Sequence, residues 1–289
     1  MPLSRHPRVL ALLPFLFVLL WSTGFLGARL GLPHIEPLTF LLLRYLCVLL
    51  MMSALAGLMR SPWPQGARAW FHIGMSGLLM HGVYLGGVFI AIRHGLPAGV
   101  TSLIVGLQPL LTALIAGAWL GEDVSRRQWA GLGLGFIGVA GVVFGRTGGG
   151  FSAVALVPAI TALLGITLGT LYQKRYAPKF DWRGGAVVQF LPTTVLTGLA
   201  AWHFETMRVD WAPGLVFALA WLVLVLSLGA VSLLNWLIRQ SDAVNVASLF
   251  YLVPPCTALL AWLLFDEHLA GLALAGMGLA VWGVWLARR

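Results

Sequence analysis

Charged side chains are scarce in this sequence. Only 9% of its 289 residues are charged and 60% are hydrophobic, with a mean hydropathy of +0.92, whereas about a quarter of the residues in soluble domains are charged. A soluble domain of this length would leave far too much apolar surface in water. The shortage of charge excludes the soluble classes and predicts an all-α integral membrane protein.

Cysteines and cofactor motifs are also nearly absent. The two cysteines, Cys47 and Cys256, both lie in apolar segments, which argues against a disulfide framework and predicts two buried thiols. The sequence has no Cys/His cluster of zinc spacing, no phosphate loop and no ATP-binding motif. We therefore expect no metal and no other cofactor, and we do not expect an ATP-driven pump.

Acidic residues are missing from the middle of every apolar segment. The nine acids fall at or beyond segment ends: Glu36, Glu122, Asp123, Asp181, Glu205, Asp210, Asp242, Asp266 and Glu267. A carboxylate at membrane depth serves proton relays and pairs with buried cations. Its absence argues against a cationic substrate and favours facilitated diffusion over proton coupling.

Long apolar stretches predict ten membrane-spanning helices, because about 20 apolar residues cross a bilayer. The predicted spans are 9–30, 37–59, 69–92, 96–119, 127–145, 153–173, 184–203, 212–238, 243–265 and 269–287. Arg5 and Arg8 followed by VLALLPFLFVLL imitate a secretory signal. The first stretch is nevertheless long enough to span, so we expect it to be retained as the first helix.

The net charge of +9 is explained by membrane topology rather than by a nucleic-acid partner. With a cytoplasmic N-terminus, the segments on that side hold thirteen basic residues: Arg5, Arg8, Arg60, Arg68, Arg126, Arg127, Lys174, Arg175, Lys179, Arg183, Arg239, Arg288 and Arg289. The opposite segments hold only Arg29, Arg93, Arg146 and Arg208. Basic loops face the cytoplasm, so we expect both termini there, in the inner membrane of a bacterial-type cell.

The sequence repeats itself at an offset of 145 residues. The stretch GLQPLLTALIAGAWLGE, residues 106–122, aligns with residues 251–267, so that Pro109 meets Pro254 and Glu122 meets Glu267. The aligned positions continue through the glycines of the next span. Two halves, 1–146 and 147–289, therefore each contain five predicted spans.

An odd number of spans in each half places the second half upside down relative to the first. Inverted repeats are typical of secondary transporters, whose substrate site lies near the midplane between the halves. Interrupted helices at matching positions mark that site. The sequence thus predicts hinges at Pro109 and at Pro254 and Pro255.

Several motifs in this order carry a family resemblance. They are P-x6-R in the second span (Pro37, Arg44), Pro109 with terminal Gly121-Glu122 in the fourth, Pro254 with Glu267 in the ninth, and the glycine-rich fifth and tenth spans. The chain resembles the drug/metabolite transporter superfamily, and within it the EamA-type exporters, over nearly its whole length. The resemblance implies ten helices as two inverted repeats around a central cavity, and export of small metabolites, amino acids among them. It departs in the second half, where Gln189 stands at the position of Arg44.

Polar and aromatic residues near the middle of the spans are the candidate substrate-binding residues, because such groups need a partner or a watered cavity. They are Trp21, His81, Tyr84, Gln108, Asn235 and Tyr251. An uncharged pocket of rings and amides suits an aromatic or neutral amino acid better than a phosphate. The expected partners are such a small molecule and the lipid bilayer. For each residue the alternative is a structural hydrogen bond between helices, and Arg44 is expected to be a structural charge.

Glycine spacing and the two glutamates have structural interpretations. The pairs Gly131/Gly135, Gly141/Gly145 and Gly276/Ala280 permit close helix packing, either within one chain or between two, so monomer and homodimer both stay open. Glu122 and Glu267 are expected to cap a helix or to pair with a neighbouring loop.

Three other functions compete with amino-acid export. Export of cationic drugs or of another small metabolite is the nearest alternative, and a channel is less compatible with a two-fold repeat. The third is an intramembrane serine protease, because GMSG (residues 74–77) has the G-x-S-G pattern, with His81 or His203 as its base. Ten inverted spans do not fit such an enzyme, so we predict no catalytic residues.

Overall fold

The computed structural model describes residues 7–96, 98–144, 153–177, 179–265 and 271–287. Within these ranges the regular elements are helices, and the β pairing is an isolated bridge between Ile35 and Val209. Segments that continue one another are numbered as one element. The helices are α1 Pro7–Gly31, α2 Pro37–Leu58, α3 Ala67–Arg93, α4 Ala98–Val105 and Gln108–Leu120, α5 Arg126–Phe144, α6 Ala153–Tyr176, α7 Trp182–Phe204, α8 Pro213–Gln240, α9 Ala243–Ser248, Leu249–Leu252 and Val253–Phe265, and α10 Gly271–Ala287.

Six of these helices are long and apolar enough to cross a membrane, namely α1, α2, α3, α6, α7 and α8, and shorter apolar helices accompany them. Their outer faces carry large exposed apolar side chains such as Leu50, Leu58, Trp202 and Phe204, each more than 70% exposed. Their inner faces bury polar side chains. This reversal of the soluble pattern fits a surface that contacts lipid.

Helix irregularities recur in the two halves at nearly the repeat offset. Helix α3 widens to a π-helix over Leu78–Val83, and α8 does so over Leu222–Ala230. Helix α4 is interrupted between Val105 and Gln108, and α9 contains a 3-10 turn over Leu249–Leu252. The paired irregularities support the repeat that the sequence suggests.

The prolines of the repeat stand at helix starts. Pro109 is the second residue of the segment Gln108–Leu120, and Pro254 is the second residue of Val253–Phe265. A proline in the first helical turn removes no helical hydrogen bond. The apolar pattern therefore continues past each proline because a new helical segment begins there.

Helices α5 and α10 pack backbone against backbone through their glycines. A Cβ atom added at Gly283 would lie 2.3 Å from the Gly135 nitrogen and 2.6 Å from the Gly131 oxygen, and one at Gly138 would lie 2.4 Å from the Ala280 nitrogen. Small residues permit this approach. The spacings of Gly131/Gly135 and Gly276/Ala280 thus serve a contact within the chain, while Gly145 lies outside the described residues.

At one end of the bundle, a carboxylate from each of two loops bonds to the other segment, and one of the two caps α2. Glu205 accepts hydrogen bonds from the Leu38 and Thr39 amides, both at 2.7 Å, and Glu36 accepts one from the Thr206 amide at 2.8 Å. The first of these contacts satisfies free N–H groups at the start of α2. The α1–α2 loop is thereby tied to the segment that follows α7.

At the other end, Glu122 caps α9. Both of its carboxylate oxygens lie 3.0 Å from the Ala243 amide, and Lys174 Nζ lies 3.4 Å away. The capping interpretation of Glu122 fits these contacts, whereas Glu267 lies outside the described residues.

We expect Glu122→Ala to lower the free energy of unfolding by about 1 kcal/mol, the usual cost of losing a helix cap. Thermal unfolding of the purified protein in detergent measures it. Asp123→Ala, at the exposed neighbouring position, is the control and should change stability little. Equal effects of the two substitutions would contradict the capping role.

The cysteines only partly match expectation. Cys256 is half-buried, but Cys47 is exposed on the outer face of α2. The prediction that both thiols are buried was wrong for Cys47, because a position in an apolar helix can face lipid as well as protein.

Candidate functional site

A central cavity lies between helices of both halves. Its lining comes from α1, α2, α3 and α8 and includes Trp21, Phe25, Arg44, His81, Tyr84, Phe89, Leu226 and Val231. The space between these atoms is about 470 Å³ including its open side, but only about 30 Å³ can hold the centre of a water molecule. A substrate would therefore have to displace side chains on entry.

Stacked aromatic rings form one wall of the central cavity. Trp21 stacks on Tyr84 with ring centroids 6.3 Å apart and planes at 11°, and Phe250 meets Trp21 edge-on at 5.4 Å. A second cavity, about 240 Å³ with its open side included, shares Trp21, Phe25 and Tyr84 and extends to Phe250 and Pro254. The aromatic wall thus borders both spaces.

His81 belongs to the π-helical segment of α3. Its ring stacks on Phe190 with centroids 4.4 Å apart, and its backbone carbonyl accepts a hydrogen bond from the Tyr45 hydroxyl at 2.8 Å. The Nε2 atom is buried, and no described residue is its hydrogen-bond partner. π-helical turns inside α-helices occur frequently at functional sites.

Arg44 brings a buried charge to the central cavity. Its Nε donates to the Ser227 hydroxyl at 3.0 Å, and Ser227 lies in the π-helical segment of α8. The ion pairs found among the described residues do not involve Arg44. The sequence predicted that Arg44 is a structural charge. Its depth within α2, with no acidic residue at a similar depth in any span, was the signal that could have placed it beside the cavity.

Gln108 borders a separate cavity, about 220 Å³ with its open side included. The lining also includes Thr170, Lys174, Ile238, Ala243, Val246 and Ala247. Both polar atoms of the Gln108 side chain are buried without a hydrogen-bond partner among the described residues. Because Lys174 and the capped start of α9 border it, this cavity lies toward the Glu122 end of the bundle.

Asn235 belongs to a closed ring of three buried amides. The sequence analysis gave no role to the other two members, Gln173 and Gln189. Gln173 Nε2 donates to Asn235 Oδ1 at 3.0 Å, Asn235 Nδ2 to Gln189 Oε1 at 3.3 Å, and Gln189 Nε2 to Gln173 Oε1 at 2.9 Å. This amide ring joins α6, α7 and α8. Asn235 does not border the central cavity as described.

Tyr251 packs away from the central cavity. A Cβ atom added at Gly135 of α5 would lie 2.5 Å from the Tyr251 ring, and the buried hydroxyl has no hydrogen-bond partner among the described residues. Its neighbour Phe250 borders the second cavity instead. The structure thus brings Trp21, His81 and Tyr84 together and places Gln108, Asn235 and Tyr251 elsewhere.

Ser76 of the GMSG motif has no described histidine partner. Its hydroxyl donates to the Ile73 carbonyl at 2.7 Å and accepts from Gln189 Nε2 at 3.1 Å. Neither is a base for a serine nucleophile. Among the described residues, no three His, Cys, Asp or Glu side chains gather as metal ligands would.

A bundle of apolar helices with an internal, partly polar cavity defines the class: a multi-pass helical membrane protein with a buried binding space. The chain belongs to the EamA-like transporter family, which it matches over residues 9–144 and again over 153–289. This confirms the family resemblance. Family membership implies a membrane setting and a small-molecule substrate, and it indicates a transporter rather than an enzyme.

Similar proteins are transporters by name. The uncharacterised transporter YvbV of Bacillus subtilis strain 168 is 28% identical, with 96% of this chain and 91% of that protein covered. A probable amino-acid metabolite efflux pump of Escherichia coli K12 is 25% identical, with 98% and 95% covered. The uncharacterised inner membrane transporter YedA of the same strain is 26% identical, with 98% and 92% covered.

A solved crystal structure shares the fold. Its TM-score is 0.79 at 20% identity, with 96% of each chain covered. At this identity the likeness shows the fold alone.

Proposed function

We propose that the protein exports small metabolites by alternating access, with aromatic or neutral amino acids as its substrates. The observation that carries the proposal is the central cavity, where the stacked rings of Trp21 and Tyr84 meet polar side chains between helices of both halves. Rings hold an aromatic or apolar body. The name of the E. coli efflux pump supports amino-acid metabolites as the substrate class.

The proposed architecture is ten membrane crossings in two inverted five-helix repeats, residues 1–146 and 147–289. The two family matches and the paired irregularities of α3/α8 and α4/α9 support it. We place both termini in the cytoplasm of a cell with the protein in its inner membrane, since basic residues cluster in the loops of that side. The segments ahead of Pro109 and of Pro254 and Pro255 are the proposed hinges.

Export of cationic drugs is the second candidate, and the described cavity lining favours it less. The central cavity contains an arginine and no carboxylate among its described lining residues. A cation would enter a space that already holds a positive charge, and cation–π contact with Trp21 and Tyr84 would be its attraction. An amino acid carries a negative group that this space lacks.

Liposomes containing the purified protein test the proposal. We expect labelled phenylalanine and leucine to be transported, and Trp21→Ala to lower phenylalanine flux at least about tenfold, because burial of a large apolar side chain contributes about 1.5–3 kcal/mol. Trp202→Ala, at a position 77% exposed on the lipid-facing surface, is the matched control and should stay within about twofold.

Two outcomes would overturn parts of this proposal. Flux of organic cations without flux of any amino acid would replace the substrate class. Unchanged phenylalanine flux after Trp21→Ala, His81→Ala and Tyr84→Ala would remove these residues from the site but leave the family intact. Gln108→Ala, Asn235→Ala and Tyr251→Ala in the same assay test the three residues that lie outside the central cavity.

A further inference from the structure

The positive charge of Arg44 has no acidic partner among the described residues. It is 2% exposed, and its described hydrogen bond uses Nε alone. Guanidinium carries five N–H donors and stays charged in proteins. Burying such a charge without an anionic partner costs several kcal/mol. Arg44 is among the residues that line the central cavity.

The repeat provides an internal comparison for Arg44. The offset of 145 residues pairs Arg44 with Gln189, whose amide is fully occupied by Ser76, Gln173 and Asn235. At the matching position in the first half, Arg44 borders the central cavity instead of a set of polar side chains. Gln189 thus has three polar side chains as hydrogen-bond partners, whereas Arg44 has one described partner and borders the cavity.

The other groups around the central cavity are apolar or uncharged. The rings of Trp21, Tyr84 and Phe89 line it together with aliphatic side chains, and His81 Nε2 lacks a partner among the described residues. An arginine forms strong paired hydrogen bonds with a carboxylate. An ammonium group would find no carboxylate in the described lining.

We propose that Arg44 binds the carboxylate of the transported molecule, with His81 Nε2 as a second donor, so that the central cavity selects for a carboxylate on an aromatic or apolar body. This inference rests on the proposed function, because it names the group by which that function recognises its substrate. It makes the carboxylate, rather than the ammonium, the recognised end of an amino acid. Molecules without an amino group are then substrates as well.

Three probes with the same aromatic body separate the two charged groups: phenylalanine, 3-phenylpropionate, which lacks the ammonium, and phenethylamine, which lacks the carboxylate. Competition against labelled 3-phenylpropionate on the purified protein measures each affinity. We expect the affinities for phenylalanine and 3-phenylpropionate to agree within about threefold, and phenethylamine to bind at least about tenfold more weakly, because it has no carboxylate to accept charge-assisted hydrogen bonds from Arg44. Equal affinity for phenethylamine and phenylalanine would overturn the inference.

Substitutions of Arg44 test the residue itself. Arg44→Gln should weaken the binding of phenylalanine and 3-phenylpropionate at least about tenfold and change phenethylamine binding by less than about twofold. Arg44→Lys should have an intermediate effect. Ser227→Ala removes the described partner of Arg44 and should leave the preference for carboxylates in place. If the role of Arg44 is purely structural, Arg44→Gln and Arg44→Lys should instead weaken the binding of all three probes equally.

The failures of the two proposals are distinguishable. If Arg44→Gln does not fold, the wild-type ranking of the three probes still decides the inference. Phenylalanine flux with equal binding of phenethylamine would sink the inference and leave amino-acid export standing. Binding of 3-phenylpropionate without phenylalanine flux would sustain the carboxylate site and sink amino-acid export.

Discussion

Alanine in place of Gly283 is expected to separate α5 from α10 and to lower the free energy of unfolding by about 3 kcal/mol or more. The added methyl group would lie 2.3–2.7 Å from backbone atoms of Gly131 and Gly135. Backbone atoms cannot rotate away as a side chain does, so the helices themselves must move. Overpacking of a close contact typically costs about 1–3 kcal/mol, and this contact is at the severe end.

Thermal unfolding in detergent measures the effect, and the chain offers a matched control. Gly278→Ala adds the same methyl group to the same helix at a position with no atom within 4 Å. It should be neutral or slightly stabilising, because alanine favours helices more than glycine does. The control on α5 is Gly133→Ala, where the space is equally open. A stable Gly283→Ala protein would show that α5 and α10 do not touch as described.

Leucine in place of Asn235 is expected to lower the free energy of unfolding by about 2–4 kcal/mol. The substitution keeps the branching of the side chain but leaves a Gln173 donor and a Gln189 acceptor without their partner in the amide ring. Each buried polar group that loses its partner costs about 1–3 kcal/mol. Gln240→Leu, at the exposed end of the same helix, should cost much less.

The same variant separates a structural role of Asn235 from a binding role. A structural residue changes stability but leaves the affinity of the folded protein for phenylalanine within about twofold. A double-mutant cycle with Gln173→Leu should show a coupling of about 1–2 kcal/mol, because the two side chains share a hydrogen bond. A large loss of affinity at unchanged stability would return Asn235 to the substrate site.

Helix positions followed from the sequence, whereas the orientation of individual side chains did not. Ten apolar stretches and the doubled proline are visible in a single chain, because span length and helix starts depend on local sequence. The amide ring joins Gln173, Gln189 and Asn235 from three helices, and nothing in the spacing of one helix indicates partners on another. The π-helical turns leave the apolar pattern unchanged, so the hydropathy of α3 and α8 did not reveal them.

Tyr251 illustrates how sensitive a side chain's direction is to local helix type. The 3-10 turn over Leu249–Leu252 winds the chain more tightly than an α-helix, which changes the face on which each residue emerges. Phe250 therefore borders the second cavity, while Tyr251 packs against Gly135. The midpoint of a span predicts depth in the membrane, but the direction of a side chain depends on winding that composition does not determine.

The three hydrogen bonds of the amide ring all run in the same direction around it. Each side chain donates to the next and accepts from the previous one, so reversing one amide alone would set oxygen against oxygen and nitrogen against nitrogen. The three amides must reverse together or the ring must open. Ser76 selects one sense, because its hydroxyl already donates to the Ile73 carbonyl and is left to accept from the Gln189 nitrogen. The three amides thus share one orientation with a preferred direction, and reversing any one of them alone would lose its hydrogen bonds to both neighbours.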